Sequence, residues 1–208
     1  MSLELWISFF IACSAILVIP GPTVMIVISC ALARGRRSGW ATVPGVALGD
    51  FTAMTASLLG AGAVLAASAS LFTAMKIAGA LYLVWLGIRL WRTSGNLGTL
   101  HQTKKGQSMA AMFRNSYVVT ALNPKSIIFF IAFVPQFVDV SQPVFPQFVI
   151  LEATFLSLAA LNVAIWAVLA GELRARFSKP QTLKFINRVG ASFLICAGLL
   201  TAFVRRTA

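Results

Sequence analysis

Three ionisable side chains lie inside apolar stretches where a charge is costly: Asp50, Lys125 and Glu152. A charge at the centre of a bilayer costs about 2.5–3.5 kcal/mol on insertion scales, so such residues face a cavity, a partner or a transported ion. Burial disfavours the charged form of an acid, and a nearby cation favours it. One of the two carboxylates can therefore exchange a proton with either side of a membrane, and a substrate ammonium can take that proton's place. Lys125 can pair with either acid or meet a substrate carboxylate. These three are the candidate substrate and proton-coupling residues. The plain alternatives are structural carboxylates and a lysine that snorkels to the interface.

Their spacing adds a second signal. Pro22 and Pro124, Pro44 and Pro146, and Asp50 and Glu152 are each 102 residues apart. The first pair sits in two breaks, Ile19-Pro20-Gly21-Pro22-Thr23 and Leu122-Asn123-Pro124-Lys125-Ser126. Proline removes a backbone donor and clashes with the preceding turn. Inside lipid, the freed carbonyls must find other partners. A span broken in this way exposes half-helix ends, whose dipoles can hold ionic groups. Matching breaks in two halves of a chain point to a transporter binding site. Pro20, Gly21, Pro22, Thr23, Asn123 and Pro124 are the candidate substrate-binding or helix-break residues. Asn123 offers an amide donor and acceptor, and Thr23 a hydroxyl.

The elements that position these residues follow from composition. Of 208 residues, 59% are hydrophobic and 11% charged, against about 25% charged in a soluble domain. Six apolar segments, roughly 5–32, 40–65, 71–90, 112–137, 144–170 and 189–204, read as membrane-spanning helices, the sixth being short. The first run carries Glu4, lacks a basic flank and continues through its Pro-Gly-Pro break, which predicts a span and not a cleaved signal. Thirteen of the 17 Lys and Arg residues lie in the first, third and fifth connections. The positive-inside rule puts those odd-numbered connections in the cytoplasm and both termini outside; if the sixth segment does not cross, the C-terminus is inside. Three spans per half make an offset repeat an inverted one. The expected fold is all-α integral membrane, with six transmembrane helices arranged as two inverted three-helix repeats whose first and fourth helices are broken. A single membrane domain, 1–208, then divides into a first repeat (1–92), a polar cytoplasmic linker (93–107) and a second repeat (108–208).

Charge topology accounts for the net charge of +12, so no nucleic-acid partner is called for. Cys13, Cys30 and Cys196 are isolated, and the one histidine, His101, stands in the polar linker. No metal set, cofactor motif, nucleophile elbow or phosphate loop is present, so no enzymatic activity is expected. Gly45 and Gly49 form a G-x-x-x-G just before Asp50, a spacing that allows close helix approach. Trp40, Trp85, Trp91 and Tyr82 fit an interfacial belt. Phe129, Phe130, Phe133 and Phe137 read as lipid-facing or packing residues.

Several segments together resemble the LysE/RhtB family of amino-acid exporters. They are Pro20-Gly21-Pro22, the runs 34–39 (RGRRSG), 45–50 (GVALGD) and 76–87 (KIAGALYLVWLG), Leu122-Asn123-Pro124-Lys125, and 133–139 (FVPQFVD). The matches fall in both halves. The resemblance implies secondary active export of an amino acid such as lysine, arginine, threonine, homoserine or leucine, by antiport with protons across a bacterial inner membrane. Family members often carry Asn or Asp after the Pro-Gly-Pro, where this chain has Thr23. A metal-ion exporter of the same superfamily and a non-transporting membrane subunit are the competing expectations, the former short of soft ligands. Small residues on the spans make a homo-oligomer feasible.

Overall fold

A computed structural model describes residues 1–19, 21–92, 107–139 and 141–177, together with helical positions between 188 and 199. Pro20, His101 and nearly all of the expected linker lie outside the described residues.

Every described element is helical, and the chain is an all-α membrane protein. Helix α1 runs Leu3–Val18, capped by the Ser2 hydroxyl on the Leu5 amide, and α2 runs Pro22–Arg34. Their axes bend by 53° at the first break. Gly35, at φ 72°, ends α2; this left-handed backbone suits a residue without a Cβ. A 3₁₀ turn at Arg36–Ser38 leads into α3, Gly39–Ala67, and α4 spans Ala69–Arg92. The second half repeats the device: α5, Met109–Ala121, meets α6, Pro124–Ala132, at a bend of 43°. A 3₁₀ turn at Val134–Phe137 follows, and α7 runs Val144–Phe177.

Both expected breaks are present, and both half-helices restart on a proline. Pro22 opens α2 and Pro124 opens α6, the first helical position, where a missing amide hydrogen costs nothing and φ is already helical. Among the described residues two stretches, Arg36–Ala63 and Val144–Ala170, are long and apolar enough to cross a membrane, and each bent pair can form one more span. Pro44 is carried inside α3.

The most extensive pairing is α3 against α5, and the glycines explain it. A Cβ on Gly45 would lie 2.6 Å from the Phe113 carbonyl oxygen, and one on Gly49 2.8 Å from the Tyr117 carbonyl oxygen. The two helices touch backbone to backbone where those Cβ atoms are missing. Ser116, fully buried in this seam, has a hydroxyl without a partner. The main core gathers Phe9, Met54, Phe129, Phe130, Leu151 and Phe155. Phe129, Phe130 and Phe133 are thus packing residues and not lipid-facing, with Phe130 edge-on to Phe155 at 4.8 Å between ring centroids. Trp40, Trp85 and Trp91 are exposed on α3 and α4.

Candidate functional site

The two breaks face each other. Thr23, at the start of α2, receives hydrogen bonds from Asn123 Nδ2 at 3.2 Å and Thr120 Oγ1 at 3.3 Å. Asn123 caps α6, its Oδ1 accepting from the Lys125 amide at 3.1 Å. The same amide side chain therefore begins one half-helix and ties it to the other, which is why Asn and Thr occupy these positions. All three side chains are buried, so their pairing offsets the cost of removing polar groups from water.

Beside this junction lies a cavity of about 40 Å³. The end of α1 contributes Ile16, Leu17 and Ile19; the α2 break gives Gly21, Thr23 and Val24; α3 gives Val46 and Asp50. Asn123, Lys125, Ser126 and Phe129 come from the second break, and Phe155, Ala159, Asn162 and Val163 from α7. Asp50 is 3% exposed and forms no hydrogen bond among the described residues. Its electrostatic partner is Lys125, which lines the same cavity.

Lys125 does not form an ion pair with either carboxylate. Its Nζ donates to the carbonyls of Ile16 and Ile19, both at 3.1 Å. Asn162, which sequence reasoning overlooked, donates Nδ2 to the Leu17 carbonyl at 3.0 Å. The last carbonyls of a helix have no intrahelical partners, and Pro20 deprives Ile16 of its usual one. Two side chains from other helices therefore cap the open end of α1. An Asn in the middle of an apolar span was the available signal, but its counterpart at the 102-residue offset is Gly60, so a search by repeat passes over it.

Glu152 does not join the cavity. It is half-buried on α7, where Oε1 accepts from the Thr55 hydroxyl at 2.6 Å. Asp50 and Glu152 match at the 102-residue offset in sequence, but only Asp50 lines the cavity at the breaks. Five expected site residues line the cavity, Asp50, Lys125, Gly21, Thr23 and Asn123, while Pro22 opens α2 beside it in sequence. Pro124 stands at the head of α6 and is exposed, and Pro20 lies outside the described residues. Among the described residues no three His, Cys, Asp or Glu side chains come together.

The family model for LysE type translocators matches residues 14–203. The chain belongs to that family. An uncharacterized membrane protein of Vibrio cholerae is 32% identical over 202 residues, covering 97% of this chain and 98% of the relative. A homoserine/homoserine lactone efflux protein of Salmonella typhi is 30% identical over 205 residues, covering 99% of each. A leucine efflux protein of an Enterobacter species is 28% identical over 180 residues, covering 86% and 84%. No solved structure matches the chain. The matched stretch of this LysE type translocator contains both breaks, Asp50, Lys125, Asn162 and Glu152.

Proposed function

We propose that the protein is a secondary active exporter of small amino acids or close derivatives, working by proton exchange across a bacterial inner membrane. Its substrate site is the cavity at the facing breaks, between two inverted three-helix repeats. In this architecture α4 and the helical segment around 188–199 complete the six spans, and the odd-numbered connections face the cytoplasm.

One observation carries the reading: among the described residues, a buried carboxylate, Asp50, and a half-buried cation, Lys125, are the only charged side chains lining a cavity at two broken helices. An amino acid presents the complementary pair, an ammonium and a carboxylate. The rest of the wall is mostly apolar, with Val24, Val46, Phe129, Phe155, Ala159 and Val163. It offers no second acid, so the substrate side chain is uncharged, in contrast to lysine or arginine. Homoserine and leucine, after which two of the relatives are named, have this form. A bare charge at Asp50 is costly in this setting. The carboxylate therefore carries a proton on one leg of the cycle and the substrate ammonium on the other, which couples the two fluxes. A cavity of about 40 Å³ holds a water or two, so the site widens to admit an amino acid.

The test is excretion from cells loaded with dipeptides, with and without the protein, using Asp50→Asn at matched expression. Excretion of one uncharged amino acid that disappears in the variant is the expected result. No excretion of any amino acid by well-expressed protein overturns the reading.

A further inference from the structure

Lys125 breaks a local rule. It lies in the first turn of α6, where the helix dipole is positive and a cation is disfavoured. A residue that contradicts its own element marks a functional position more often than a structural one. Its side chain leaves α6 and delivers the ammonium to the opposite kind of helix end, the C-terminus of α1, on the carbonyls of Ile16 and Ile19. The last turn of α1 has no basic residue of its own. Asp50 lines the same cavity, is 3% exposed and has no hydrogen bond among the described residues. Two open carbonyls and a buried carboxylate form an all-acceptor set, which suits a group with three N–H donors and no acceptor.

We propose that the Ile16 and Ile19 carbonyls, with Asp50, form a seat for a primary ammonium, that Lys125 occupies it as an internal stand-in, and that the substrate's α-ammonium displaces Lys125 from it. The exchange conserves charge and hydrogen bonds: one ammonium leaves two carbonyls and another takes them. The displaced Lys125, on its flexible four-carbon stem, turns to the carboxylate of the same substrate. The ligand class is thus molecules with a free primary ammonium. N-acylated and quaternary amines are excluded, because neither supplies three N–H donors. The proposal rests on the exporter reading of this cavity.

The test is chemical rescue in the purified full-length protein. Lys125→Ala removes the equivalent of propylammonium, so thermal unfolding of the variant is followed with added propylammonium, 1-propanol (equal bulk, no charge) or tetramethylammonium (equal charge, no N–H donor). Propylammonium is expected to raise the Tm of the variant saturably, at a concentration about tenfold below any effect on wild type, while neither control does so. No rescue, or equal rescue by a control, overturns the proposal. Should Lys125→Ala not fold, the wild type supplies the second measurement, thermal unfolding with added leucine or N-acetylleucine. Leucine is expected to raise the Tm saturably and N-acetylleucine to leave it unchanged; no shift with leucine, or an equal shift with N-acetylleucine, overturns the proposal. The rescue involves no transport, so a protein that exports no amino acid can still pass it, and an exporter can still fail it.

Discussion

Asp50 and Glu152, two acids 102 residues apart in sequence, have different surroundings. Asp50 lines the cavity, buried and without a hydrogen bond among the described residues, whereas Glu152 accepts one from Thr55 at 2.6 Å and lies off the cavity. Asp50→Asn is therefore expected to lower export at least about tenfold, because a neutral amide cannot trade a proton for an ammonium. Glu152→Gln keeps an acceptor for Thr55 and should leave export within about twofold; radiolabelled amino-acid counterflow in proteoliposomes distinguishes the two. A third acid lies outside the spans. The Ser141 hydroxyl and amide both donate to Asp139 Oδ1, and these bonds hold its carboxyl below the usual carboxylate range. The folded pKa is depressed, so the stabilisation is present above the ordinary value of about 3.9 and disappears as pH falls through the lowered folded value. Ser141→Ala should narrow that effect: its Tm deficit against wild type is expected near neutral pH and should vanish in acid, in melts of detergent-purified protein.

At the scale of elements, glycine placement sets how closely helices approach. Gly49 meets α5 at backbone distance, while Gly60, further along the same helix, has nothing within 4 Å of a built Cβ. Gly49→Val forces α3 and α5 apart and is expected to cost about 1–3 kcal/mol. Gly60→Ala should be neutral or stabilising by up to about 1 kcal/mol, from helix propensity alone. Thermal unfolding of the pair tests this directly. The G-x-x-x-G spacing was legible in sequence because helical periodicity alone puts Gly45 and Gly49 on one face. The breaks were legible for an equally local reason, the missing amide hydrogens of proline. The length of the second half-helix was less so: α6 gives way after Ala132 to a 3₁₀ turn containing Pro135, although the apolar run continues to Phe137.

Over the whole molecule, the two breaks, α3 and α7 together line the site. The proposed orientation makes a separate prediction. Cysteine placed at Ser141, in the fourth connection, should react with a membrane-impermeant thiol reagent added to intact cells, and cysteine at Ser94, in the third, only after the cells are opened. The reverse pattern would invert the direction of transport inferred for the cavity.

The amino-acid sequence by itself determined the membrane class, the two proline breaks, the 102-residue spacing of matching residues and the presence of Asp50, Lys125 and Glu152 within apolar segments. Each depends on composition, periodicity or the chemistry of a single residue type, all of which are local. Tertiary structure alone decided which charges share a cavity. Lys125 reaches the end of α1, Asn162 joins it there, and Glu152 turns to Thr55. Those outcomes depend on the bends at the two breaks and on how each helix is rotated about its axis. Both are set by packing between segments roughly a hundred residues apart in the chain, which no local pattern encodes.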